Sequence, residues 1–143
     1  MNINQISVFL ENKKGRLKKV CASMAKARIN VRALSLADTK DFGILRLIVN
    51  DPDRCRAVLQ KNGFVVQETN VIAVEVEDRP GGLNKILTLL DRNNINVEYM
   101  YATTERDKNH AAVIFKVNEQ EKAIRILSKN RIPLMKAAAL KKM

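Results

Sequence analysis

Apolar and polar residues alternate over Gln5–Leu10, with Ile6, Val8 and Leu10 on one side, as in a half-buried strand. From about Gly15 to Arg28 the period becomes helical. Leu17, Val20, Cys21 and Met24 share one face, and Arg16, Lys18, Lys19 and Lys26 the other. Asn30–Leu36 and Ile44–Val49 read as strands around a turn at Asp38-Thr39-Lys40-Asp41. Asp51-Pro52-Asp53 then opens a second helix with an aspartate N-cap and a proline in the first turn. Cys55, Val58 and Leu59 form its inward face, and Asn62-Gly63 ends it. Phe64–Gln67 reads as a fourth strand.

The βαββαβ order then repeats. Strand Ile72–Val76 leads to a helix over Gly82–Asn93, strands at Val97–Thr103 and Ala111–Val117, a helix over Gln120–Lys129 and a short strand at Ile132–Leu134. Leu17, Val20 and Met24 match Leu83, Ile86 and Leu90 at an offset of 66, and Ile29-Asn30-Val31 recurs as Ile95-Asn96-Val97. The offset grows to 68 in a longer turn at Glu105-Arg106-Asp107-Lys108-Asn109. Only Glu68-Thr69-Asn70 separates the copies, so two small units, 1–69 and 70–143, are expected to pack together, with sheets continuing edge to edge. A βαββαβ unit fits the ferredoxin-like arrangement, an antiparallel sheet with both helices on one face. Pro133 marks an edge strand, and Lys136–Met143 a tail or helical turn.

Composition narrows the function. The chain has 143 residues, is 46% hydrophobic and carries a net charge of +11. No apolar run reaches the roughly 18 residues of a membrane span, and the N-terminus does not read as a signal peptide, so a cytoplasmic protein without membrane contact is expected. The charge raises the question of polyanions, but the basic residues are dispersed. Cys21 and Cys55 align with Leu87 and Ala123 and read as small core residues. His110, the sole histidine, aligns with Phe42 and has no nucleophile beside it; no metal-ligand spacing, phosphate loop or serine elbow is present. No catalytic residue, metal or cofactor is expected.

The duplicated loop carries the remaining signal. Glu11-Asn12-Lys13-Lys14-Gly15-Arg16-Leu17 and Glu77-Asp78-Arg79-Pro80-Gly81-Gly82-Leu83 each join a strand to an amphipathic helix. Glycine permits positive φ or a close backbone approach, and open N–H groups at a helix start suit an anion. With the Ile-Asn-Val that follows each helix, these loops make the chain resemble the ACT domains, regulatory modules of amino-acid metabolism, in a stand-alone tandem form covering about residues 3–135. The resemblance implies an α+β fold of two ferredoxin-like units side by side, and a free amino acid bound at their interface. It implies ligand-binding residues Asn12, Gly15, Arg16, Leu17 and Asn30 in the first copy. In the second they are Asp78, Pro80, Gly81, Gly82, Leu83 and Asn96. Helix N–H groups would take the ligand carboxylate, and Asn12 or Asp78 its ammonium group. Lys14 and Arg16 replace the family's proline and second glycine, whereas Pro80 stiffens the second turn and Gly82 leaves room there, so the second copy is expected to be the better site. Leu10 and Val76 stand where some members have a histidine.

A ligand between both loops, a homodimer and a regulated metabolic enzyme are the expectations. One alternative is an RNA-binding protein, because the RRM shares this topology. However, its third strand stacks bases on aromatic residues, and only 4% of this chain is aromatic, so nucleic acid is not expected. A regulatory subunit without ligand is the other.

Overall fold

The computed structural model describes residues 2–38, 41–103 and 110–142. Its elements are β1 (Ile3–Glu11), α1 (Arg16–Lys26), β2 (Val31–Asp38), β3 (Phe42–Val49), α2 (Pro52–Lys61), β4 (Val65–Glu77), α3 (Gly82–Arg92), β5 (Val97–Ala102), β6 (His110–Val117), α4 (Gln120–Lys129), β7 (Leu134–Met135) and α5 (Ala137–Lys142). The expected turns around Thr39-Lys40 and at Glu105–Asn109 lie outside the described residues. The seven strands form one antiparallel sheet in the order β2-β3-β1-β4-β6-β5, with β7 also on β4.

Each half has the ferredoxin-like order, and β4 belongs to both. Its first part pairs with β1 up to Ile3↔Val71. Its second part pairs with β6 from Ile72↔Phe115 onward. Glu68-Thr69-Asn70, expected between the units, is therefore mid-strand. No glycine or proline interrupts it, and pairing with Ile6, Gln5 and Asn4 holds it extended.

Alternation sets the layers. Ile6, Val8, Leu10, Leu45 and Leu47 face α1 and α2, packing with Val20, Met24, Cys55 and Leu59. Ile72, Val74, Phe115 and Val117 do the same beneath α3 and α4, with Ile86, Leu90, Ala123 and Leu127. The helix-free face is not left to solvent. The sheet curls until β2 and β5 meet at one antiparallel bridge, Ala33↔Thr103. Ile3, Ala33, Ile48, Val71, Ala73 and Ile114 pack inside, together with Leu140 from α5, so the C-terminal turn is tied down. Beside this apolar half lies a polar one. Gln5 is fully buried; its amide N–H donates to Tyr99 Oη (2.8 Å) and Ser7 Oγ (3.1 Å), and Tyr101 Oη donates to Gln5 Oε1 (2.6 Å). The Arg46 guanidinium sits 3.7 Å from the Tyr99 ring centroid, a cation–π contact.

The cysteines differ from one another. Cys55 is buried, 3.9 Å from Met24 Sδ, as expected. Cys21 is exposed, contrary to expectation. Val20 and Met24 bear the burial of α1, and Leu17 and Cys21 fall on its rim. Burial, and secondarily Asp51, pushes the Cys55 thiol from 9.0 up to about 11. Burial likewise raises the Tyr101 phenol. Both groups are held neutral in the fold, so the stability they contribute is fully present below their ordinary values of 9.0 and 10.0. It is lost as pH rises through the folded values. A thiol reagent at neutral pH is expected to modify Cys21 and spare Cys55. Urea midpoints are expected to fall between pH 9 and 11, and less steeply in Cys55→Ala, which installs the residue of the second copy. Equal labelling of both thiols, or the same slope in the variant, would contradict this.

Candidate functional site

The two loops fold alike. Gly15 and Gly81 both take left-handed conformations, φ +89° and +85°. The Lys13 N–H donates to the Glu11 carbonyl (2.8 Å) and the Arg16 N–H to that of Lys13 (3.3 Å); Arg79 to Glu77 (2.9 Å) and Gly82 to Arg79 (3.0 Å) repeat this pattern. The ion pair is repeated too, as Lys13–Glu11 at 2.9 Å and Arg79–Glu77. No side chain caps α1 or α3, which leaves N–H groups of their first turns open to an anion. Glu11 is held below the usual carboxylate range by its hydrogen bond to Lys13, then by the charges of Lys13 and Arg16.

Gly82, expected from the sequence to leave room for a ligand, instead faces the chain's own backbone. A Cβ there would lie 2.1 Å from the Glu77 carbonyl oxygen, so the close approach is of the chain to itself. Pro80 and Asp78 are exposed at the turn and Leu83 is half-buried beside the second core. The first loop flanks two hollows, one on each side of Arg16. One, about 300 Å³, is lined by Asn12, Lys13, Arg16 and Leu17 with Leu36 and Gly43. The other, about 190 Å³, lies between Arg16 and Phe9, Phe42, Phe64 and Val65.

The asparagines lie apart from the loops of their own units. The Asn30 N–H donates to Asn50 Oδ1 (3.0 Å) and the Asn50 N–H to the Asn30 carbonyl (3.1 Å). Asn96 and Asn118 repeat the clamp at 2.9 and 3.1 Å. These clamps tie the start of β2 to the end of β3, and of β5 to the end of β6, whereas the loops leave the other end of each sheet, where Glu11 pairs with Phe42 and Glu77 with His110. Nor do the two loops share one intramolecular site: Phe9 pairs with Val65 and Glu77 ends β4, so the loops leave opposite ends of that 13-residue strand. The antiparallel bridge instead runs the start of β2, with Asn30, toward the end of the second unit that bears the 77–83 loop. By the same sense it runs Asn96 toward the first loop. The recurrence of Asn50-Asp51 as Asn118-Glu119 carried the signal for the clamp partners; Leu36 and Gly43 carried none.

His110 opens β6, opposite Glu77. Among the described residues no cluster of His, Cys, Asp and Glu could hold a metal, and no helix is long and apolar enough to cross a membrane. The face on which an RRM stacks bases has Gln5 and Ser7 buried at its centre.

A curled tandem of ferredoxin-like units with duplicated glycine loops defines a class of paired regulatory domains concerned with amino-acid-mediated control. The family model for an ACT domain pair matches residues 1–143, and the chain belongs to that family. It is similar to the solved structure of protein BT0572 from Bacteroides thetaiotaomicron, with 39% identity, a TM-score of 0.94, and coverage of 100% of this chain and 98% of that one. The regulatory subunit of aspartate kinase from Thermus thermophilus shares the fold at 16% identity and a TM-score of 0.63, covering 88% and 91% of the two chains. That from Thermus flavus does so at 15% and 0.62, covering 90% and 92%. Among curated proteins none matches this chain.

Proposed function

We propose that the chain senses a free amino acid, as a homodimer, and passes that signal to a metabolic enzyme; chains of similar fold are named regulatory subunits of aspartate kinase. The observation that carries this reading is the duplicated loop: a left-handed glycine at the start of an uncapped helix, beside a hollow of about 300 Å³ in the first copy. In that hollow the first-turn N–H groups of α1, near Leu17, and the Arg16 guanidinium take the carboxylate. The Asn12 side chain takes the ammonium group, and Asn96 of the other unit completes the site. The corresponding second site uses the Pro80-Gly81-Gly82-Leu83 turn, Asp78 and Asn30. Between the two we favour the first, because the Glu77 carbonyl occupies the space beside Gly82.

A thermal-shift screen against the twenty amino acids tests this. An effector at about 100 times its Kd stabilises the fold by about 2.7 kcal/mol. Asn12→Ala is expected to remove most of that response and Asp78→Ala the smaller remainder. Both are exposed loop residues, so the unliganded melting temperature is expected to move little. A melting temperature unmoved by all twenty, or a full response in the double variant, overturns the assignment.

A further inference from the structure

The helical faces of the two units differ between their paired helices. Between α1 and α2 runs a shallow trough of about 560 Å³, with Ala22, Ser23, Ala27 and Val58 as its floor and Lys19, Lys26 and Lys61 on its rim. The matching rim of α3 and α4 is also basic, Lys85, Arg92 and Lys129, but its floor is Thr88, Leu89, Asn93 and Ile126. Leu89 packs onto the second core, and the Asn93 amide donates to its carbonyl at 2.8 Å. The floor residues of the second groove are larger, whereas alanine and serine line the trough of the first.

The charge around the open trough is uncompensated. Residues 12–28 contain seven lysines and arginines and no carboxylate. Lys26 and Lys61 have no acidic partner among the described residues. Lys19 is held over the Phe64 ring, 5.6 Å from its centroid, and Phe64 itself lies outside the trough.

We propose that the α1–α2 trough docks an acidic amphipathic helix of a partner protein. Small floor residues let a third helix approach closely, and its apolar side chain enters between α1 and α2. Carboxylates flanking that side chain meet the lysine rim, which supplies steering and orientation. Nucleic acid fits less well, because none of the trough residues is an aromatic on which a base could stack. This surface lies on the helical side of the first unit and needs no amino-acid ligand, so it is tested separately from the sensor site.

The test is an NMR titration of the full chain, free of amino acids, with a synthetic helical peptide of leucine and glutamate, leucines spaced i, i+4. A single-stranded oligonucleotide serves as competitor. Shifts are expected to concentrate on α1 and α2. Ser23→Leu, which installs the second-unit residue, removes no charge and loses only the Ser23 Oγ–Lys19 carbonyl hydrogen bond of 2.8 Å. It is expected to weaken peptide binding about 10-fold, as is Lys26→Glu/Lys61→Glu, whereas the matched Arg92→Glu/Lys129→Glu changes it less than about 2-fold. Full affinity in a folded Ser23→Leu protein, equal losses from both charge reversals, or no peptide binding overturns the proposal. So does displacement of the peptide by an oligonucleotide whose own binding Ser23→Leu leaves intact.

Discussion

Gln5→Leu is expected to lower stability by about 2–4 kcal/mol, although leucine is close to glutamine in volume. The substitution removes, among the described residues, the side-chain partner of three hydroxyls at once: Tyr99 Oη and Ser7 Oγ, which accept from the Gln5 amide, and Tyr101 Oη, which donates to it. Each buried polar group left without a partner costs about 1–3 kcal/mol, and the part-buried tyrosines recover some of that from water. The loss is to be read as a lower urea midpoint at unchanged slope. Adding Tyr99→Phe and Tyr101→Phe is expected to recover much of it, because removing both sides of a buried network is far milder than removing one. A Gln5→Leu cost under about 0.5 kcal/mol, the level of an ordinary surface substitution, would show that the network holds nothing in place.

Gly82→Val is expected to cost about 3 kcal/mol, at the upper end of the range for overpacking. Its Cβ would sit 2.1 Å from the Glu77 oxygen and 3.1 Å from the Glu77 carbon, both backbone atoms. Relief therefore requires moving the end of β4, which β6 holds through Glu77↔His110. The internal control is Arg16, which already carries a Cβ at the equivalent place. Arg16→Val is expected to stay within about 0.5 kcal/mol of the parent. Denaturant unfolding of both variants checks the contrast, and similar costs at the two positions would refute it.

Both predictions concern features the sequence named for other reasons. Gly82 was legible as a glycine with a purpose, but the purpose was assigned to a ligand, because the partner atom belongs to a backbone five residues earlier. Gln5 was legible as the polar member of an alternating strand and so as outward-facing. Its tyrosine partners lie 94 and 96 residues away, at positions where the first unit has Ala33 and Ser35. The exposed Cys21 went the same way: helical period places it near the apolar face, and only the packing of Val20 and Met24 shows it at the rim.

The sequence by itself determined the elements, their order, their duplication and the family. Strand and helix periods, glycine turns, and the Asp51 cap, which accepts from the Arg54 N–H at 3.2 Å, are local properties written within a few residues. Tertiary structure alone decided that β4 serves both units and that the sheet curls to enclose its helix-free face. It also decided that each loop faces the other unit's asparagine end rather than the other loop. Those outcomes depend on backbone ladders and twist, which every extended segment offers alike, and on contacts between residues distant in the chain. Local pattern carries no record of either.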